Sequence, residues 1–448
     1  MHGRAVAGMR TRRALLTLLM AAALLCLGGC FVGSIDELYS LPQPAADYLQ
    51  LQALIDAEIA AGCEYASPSG GNNRQSVQLI DLDGDGTDEA LAFLRDASQV
   101  PRICIYAATD GDYALVMAIR GDGASIGSVE YADLTGNGVC ELLVSWQISA
   151  GLRMLKIYPM GDWSGSHLFT IDCNEFLVHD MDGDDGVELL VIRFDSHEGA
   201  VVDMYSFHAT AEPESSSARF STGIFSLERI RTGYLAAGMP VLVVESKYEE
   251  GWLVTDLFIS RRGRLRNLSQ DRDTGISNTL RQYEVYCSDV DNDGYLEIPV
   301  PVTLYAQPES AAYWATDWYG YDALGIRKLK LSTYHSYYDA WYLVLTPEWR
   351  ENLTVRRQDG VSGERTVILS VLDPATNIVS DFLAVYTLTG ENRRERAQVA
   401  GRFFLAEEGT TLYAAKLLGI STGQSATEEE IRGSFRLIHT DWRPGSLY

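Results

Sequence analysis

Short apolar runs of strand length recur along the middle of the chain, and each is entered through a polar loop with oxygen-bearing side chains at every second position. The first reads DLDGDGTDEALAFL from Asp81. Its flanks, SVQLI and EALAFL, have strand length and no helix cap at the join, so the pattern predicts a loop between two strands. The arrangement returns as DLTGNGVCELLVSW at Asp133, DMDGDDGVELLVIR at Asp180 and DVDNDGYLEIPVPV at Asp289. In each copy a Glu follows the first Asp by eight residues (Glu89, Glu141, Glu188, Glu297), and an apolar strand follows the Glu. Successive starts lie 52, 47 and 109 residues apart, and the doubled last interval predicts a degenerate copy near its middle. TGYLAAGMPVLVVES, from Thr232, fits that place: it is Gly-containing and apolar, with no carboxylate before Pro240. The spacing therefore predicts five units of roughly 50 residues, each with room for about four short strands.

The pattern changes on either side of this array. Upstream, AADYLQLQALIDAEIAAG has helical spacing at Tyr48, Leu51, Ile55 and Ile59 and a stop signal at Gly62, which predicts a helix packed on the repeats by its one apolar stripe. Residues 34–44 are polar with two prolines and read as a tether. Downstream of residue 338, WYLVLTPEW, LTVRRQ, TVILSVL and FLAVYTL read as strands and ENRRERAQVA as a helix. RFFLAEEGTTLYAAKLL reads as a hairpin turned at Gly409, and ATEEEIRGSFRLI as a closing helix. These predict a separate small α+β domain over 339–448, after a repeat region over 75–338.

The first loop has the chemistry of a calcium site. Asp81, Asp83, Asp85 and Glu89 supply carboxylates and Thr87 a carbonyl, while closely spaced acids repel one another unless a cation lies between them. Gly84 and Gly86 permit the tight turn. An EF-hand would need Glu at the twelfth loop position, where the four copies have Ala92, Val144, Val191 and Val300.

The four copies resemble the FG-GAP or VCBS-type repeats of integrin-like β-propellers, whose loops carry D-x-[DN]-x-D-G-x-x-[DE] and bind Ca²⁺ between two strands of a blade. The resemblance covers about residues 75 to 335 and implies a mainly β fold, a calcium-loop propeller with about five recognisable blades. It implies further ligand sets at Asp180, Asp182, Asp184 and Glu188 and at Asp289, Asp291, Asp293 and Glu297. The second loop departs from the pattern, with Thr135 and Asn137 beside Asp133 and Glu141, and fewer charges imply weaker binding. The third departs at its sixth position, Asp185 in place of Gly. Either five units close a small ring, or a further unrecognised unit completes it.

The N-terminus points to export. MHGRAVAGMRTRRALLTLLMAAALLCLGGC opens with Arg4, Arg10, Arg12 and Arg13, has no acid, and continues in an apolar run too short to span a bilayer. It ends in LGGC, which resembles the lipobox of bacterial lipoproteins. That resemblance implies a signal peptide over 1–29, an acylated Cys30 as the mature N-terminus, and a lipid anchor holding the protein to the extracytoplasmic face of a cell membrane. The formal charge of −25 becomes −29 once the four Arg of that segment are lost, which disfavours nucleic-acid partners. The remaining cysteines, Cys63, Cys104, Cys140, Cys173 and Cys287, lack metal-site spacing and read as small core residues.

Catalytic signals are weak. GISTG, residues 419–423, matches a nucleophile elbow at Ser421, yet only 25 residues and a single histidine, His439, follow it. His179 and His197 stand near the third loop without ligand spacing, and no H-E-x-x-H, phosphate loop or dinucleotide fingerprint occurs. The aromatic run from Tyr313 to Tyr342, with Trp314, Trp318, Tyr319, Tyr321 and Trp341, admits two readings. Its rings stack on sugars or anchor a protein partner, or they fill the joint between the last repeat and the C-terminal domain. Two functional classes follow: a calcium-stabilised binding or scaffold lipoprotein for protein or glycan ligands, or a polysaccharide-acting enzyme on a calcium-binding propeller. The repeated site favours the first, because it gives the acids a structural task and leaves no catalytic set.

Overall fold

The computed structural model describes residues 46–438, apart from 110–111, 196–198, 208–211, 249–250, 272, 276, 283–284, 305–312, 361, 400 and 420–425. Cys30, the signal and tether segments, His197, Ser421 and His439 lie outside the described residues. The described chain is mainly β, built of antiparallel sheets.

The helix α1 (Ala46–Ala60) forms where its spacing predicts and buries Leu51 and Ile55 against the first sheet, with Ile59 partly buried, whereas Tyr48, expected on the same stripe, is exposed. That sheet pairs β1 (Glu64–Tyr65) and β2 (Val77–Ile80) with β3 (Glu89–Arg95), followed by β4 (Pro101–Thr109) and β5 (Asp112–Arg120). The next three sheets are four-stranded meanders in strict chain order. The second runs from β6 (Ser125–Ala132) through β7 (Glu141–Ser149) and β8 (Leu152–Pro159) to β9 (Phe169–Cys173). The third comprises β10 (Glu175–His179), β11 (Glu188–Asp195), β12 (Gly199–Ser206) and β13 (Glu214–Arg219), and the fourth β14 (Ile224–Leu235), β15 (Met239–Tyr248), β16 (Leu253–Arg261) and β17 (Arg264–Asn267). In each sheet the second strand is buried on both faces, as the apolar runs LLV, LLVI and VLVV require.

The sheets pack face to face in chain order. Leu91, Leu142 and Trp146 share one core between sheets one and two; Leu143, Leu155 and Leu189 share the next. Ile192, Val202 and Phe258 join sheets three and four, and Val243, Ile298 and Tyr321 join four to five. Among the described residues no core cluster joins the first sheet to the fifth or sixth.

The C-terminal part departs from the expected separate domain. The fifth sheet comprises β18 (Ile298–Thr303), β19 (Trp314–Tyr321), β20 (Arg327–Ser336) and β21 (Trp341–Leu345), so it extends past residue 338. WYLVLTPEW is a strand followed by the helix α2 (Pro347–Arg350), capped by Thr346. The sixth sheet holds β22 (Leu353–Asp359), β23 (Glu364–Asp373), β24 (Ile378–Leu388), β25 (Phe403–Glu408) and β26 (Thr411–Leu417), with α3 (Arg393–Ala397) against it. The closing segment is the helix α4 (Glu428–Ser434) and then a strand, β27 (Phe435–Leu437), which returns to pair with β21. Tyr334, Trp341, Trp349, Phe382 and Phe435 form one core across sheets five and six, so the two fold as a joined unit. Arg350 clamps the buried Asp317 of sheet five through two hydrogen bonds of 2.9 and 2.6 Å.

Candidate metal-binding loops

The acidic loops occupy equivalent places. Loop one joins β2 to β3, loop two β6 to β7 and loop three β10 to β11; loop four leads into β18 from Ser288, which bridges Glu297. The degenerate copy lies at the same junction, where residues Ala236–Gly238 link β14 to β15.

One hydrogen-bond scheme builds all four. The closing Glu is buried, and its Oε2 accepts from the main-chain N–H of the second loop residue: Leu82 to Glu89 at 2.8 Å, Leu134 to Glu141 at 2.8 Å, Met181 to Glu188 at 2.9 Å and Val290 to Glu297 at 3.1 Å. The first Asp accepts from the N–H of the sixth position, as from Gly86 to Asp81 at 3.0 Å and Gly138 to Asp133 at 2.7 Å. The fifth side chain accepts from the seventh N–H: Thr87 to Asp85, Val139 to Asn137, Gly186 to Asp184 and Tyr295 to Asp293, all between 2.7 and 3.0 Å. These bonds need the fourth and sixth residues at positive φ. Gly84, Gly136, Gly183 and Asn292 hold the fourth position, and Gly86, Gly138, Asp185 and Gly294 the sixth. Asp185, at φ +68°, thus keeps the turn that its departure from Gly called into question, since Asp and Asn tolerate the left-handed region.

The carboxylates converge at three of the loops. Ligand oxygens of Asp81, Asp83 and Asp85 lie within 4.8 Å of one another, as do those of Asp180, Asp182 and Glu188 and those of Asp289, Asp291 and Glu297. Each group can hold a metal ion. Glu89, Asp184 and Asp293 stand outside these groups of three, and among the described residues none forms at loop two, where Thr135 donates to Glu141 at 3.3 Å.

Burial, reinforced by the neighbouring Asp charges, pushes the carboxyls of Glu89, Glu141 and Glu188 above their ordinary range, and that of Glu297 up to about 7. Asp182 is raised by burial and then by Asp184 and Asp180. Asp180 goes the other way: burial is outweighed by the N–H groups of Gly183, Asp185 and Asp182. A cation among the raised carboxyls would favour their charged forms. Among the described residues, Lys and Arg make no ion pair with a carboxylate of loops one, two or three. Loop four receives Lys330 from β20, which hydrogen-bonds Asp293 and stands 3.7 Å from Asp291 and 4.0 Å from Glu297.

The aromatic run serves cores more than surface. Trp318, Tyr321 and Trp341 are fully buried between sheets or within them and present no face to a ligand. Tyr319 is half-buried, with the Arg327 guanidinium 4.8 Å over its ring. Trp314 remains at the surface. A cavity of about 850 Å³ does open beside loop four, lined by Asp289, Asp291, Tyr342, Leu405 and Arg436. Tyr342 closes the aromatic run without being one of its named ligand candidates, and no motif marks Arg436. His179 is a half-buried strand end, its imidazole depressed by burial, and the five described cysteines are free and mostly buried.

No family model and no curated protein matches the chain. Among solved structures it is similar to the Bacillus licheniformis rhamnogalacturonan lyase PL11, at 10% identity and a TM-score of 0.31, over 79% of this chain and 90% of that one. No helix among the described residues is long and apolar enough to cross a membrane.

Proposed function

We propose that the chain is an exported, lipid-anchored β-propeller, stabilised by calcium, that acts as a binding or scaffold module for a protein or glycan ligand. The observation that carries this reading is the return of one loop, with one hydrogen-bond scheme, at the same junction of successive sheets. Catalysis needs its acids once, whereas a clamp between two strands is useful in every sheet. Calcium suits these loops because their donors are all hard oxygens on short, irregular backbone.

Four-stranded sheets packed face to face in chain order are the units from which a propeller is made, with the first strands lining the axis. Neighbouring units do approach one another there: Tyr131 of β6 donates to Gln78 of β2 at 2.6 Å, and Arg231 of β14 donates at 2.6 Å to the carbonyl of Cys287, in the segment that leads to loop four. On this reading Cys30 carries the acyl chains, and the cleft beside loop four, with both charge signs and an aromatic ring, receives the ligand.

Thermal melts and metal analysis of the purified protein, in EDTA and in added Ca²⁺, test the calcium. Bound metal and a higher Tm with Ca²⁺ are expected; equal melts with no metal retained overturn it. A glycan and cell-wall binding screen, run with and without calcium, tests the ligand class. Cys30→Ser should release the protein from the membrane fraction or leave the precursor uncleaved, and a processed, membrane-bound variant overturns the anchor.

A further inference from the structure

Loop four differs from loops one and three in having a cation of its own, and this difference rests on the calcium reading above only for its metal arm. Lys330 projects from β20, outside the repeat motif, and its Nζ meets three carboxylates at once: it bonds Asp293, lies 3.7 Å from Asp291 and 4.0 Å from Glu297. Glu297 is fully buried, and its Oε1 makes no hydrogen bond although it faces this group. A buried carboxylate oxygen with no donor is costly unless a cation neutralises it. Asp291 and Glu297 are also two of the three acids whose oxygens converge for a metal. The lysine and a metal would therefore draw on the same oxygens.

We propose that Lys330 is a tethered counter-ion that holds loop four closed without metal and competes with calcium for it. Loops one and three depend on calcium, while loop four is occupied by the chain itself. An ammonium on a flexible stem can leave as a divalent ion enters, so loop four should fill only at calcium concentrations well above those that fill the others.

The test uses the purified full chain and its Lys330→Gln and Lys330→Gln/Asp291→Asn variants. In EDTA, Lys330→Gln should melt several degrees below wild type, and adding Asp291→Asn should recover part of the loss by removing one repelling charge. An unchanged melt in EDTA overturns the counter-ion, whatever the metal results. In calcium titrations followed by calorimetry and metal analysis, Lys330→Gln should bind one more ion than wild type at low Ca²⁺ and regain its lost Tm. A lower melt in EDTA with no added ion, while wild type binds calcium at loops one and three, overturns the competition. Absence of calcium from wild type and variant alike overturns the calcium reading of all the loops, and with it the competition, while the EDTA melts still decide the counter-ion.

Discussion

The main-chain N–H of Cys140 donates to the carbonyl of Leu82 at 2.8 Å, so the end of loop two is fastened to the start of loop one. The contact is close enough that a Cβ on Gly84 would lie 2.3 Å from the Gly138 carbonyl oxygen, whereas one on Gly86 meets nothing within 4 Å. Both glycines sit at positive φ. Gly86→Ala should therefore cost about 1–2 kcal/mol, the strain of a left-handed alanine. Gly84→Ala should cost more, because it also pushes loop two away. Urea midpoints of the two variants check this, and equal losses would mean that the loops are not packed as described.

Loop two offers a gain-of-function test of the ligand logic. It has the shared hydrogen bonds and the buried Glu141 but only two carboxylates, with Thr135 and Asn137 at positions where loop one has Asp83 and Asp85. Thr135→Asp combined with Asn137→Asp should add one bound calcium per chain, since charge count sets affinity in such loops. In EDTA the same variant should be less stable than wild type, because four acids would then crowd one loop. Metal analysis and melts read both effects; unchanged stoichiometry would show that something other than carboxylate number limits this site.

The loops were legible in the sequence because their geometry is local. The Gly positions, the Asp spacing and the closing Glu each report a backbone turn or a short hydrogen bond, and even the degenerate unit at Thr232 has its loop where the spacing places it. What is non-local was not legible. Lys330 lies 37 residues from Asp293 and reaches it only because β20 folds back beside loop four. Phe435 reads as the end of a helix, yet its ring packs on Trp341 and Tyr413 in the core of sheets five and six, so the segment ends as a strand. Aromatic density likewise does not tell an inward ring from an outward one, and Trp318 and Tyr321 point inward.

His335 should make sheet five acid-sensitive. It is buried between Trp318 and Tyr342, with Tyr337 beside it and Thr333 at 2.8 Å, and none of these carries charge near neutral pH. Burial pushes its imidazole down to about 3. The folded state thus binds fewer protons than the unfolded one between about pH 3 and pH 6.5, and stability falls as pH falls through that window. This residue alone should account for a loss on the order of 2 kcal/mol between pH 7 and pH 5. A His335→Gln variant should flatten the slope of stability against pH relative to wild type, and a parallel profile would show that His335 is not held neutral.

Trp341 and Tyr342 are adjacent on β21 and face opposite ways, as successive strand residues must. Trp341 packs against Tyr334 and Phe435 at ring separations of 5.8 and 5.7 Å in the core shared by sheets five and six, while Tyr342 lines the cleft beside loop four. Trp341→Ala should cost about 3–5 kcal/mol, the price of removing a large buried ring, with limited proteolysis releasing the C-terminal part. Tyr342→Ala should leave the fold intact by circular dichroism and weaken capture of whichever glycan or protein the binding screen identifies by roughly tenfold, the loss expected of one interface anchor. Trp314→Ala, at the surface and not among the residues lining the cleft, is the control and should change neither. If capture falls with Trp314→Ala and survives Tyr342→Ala, the ligand sits elsewhere and the cleft is not its site.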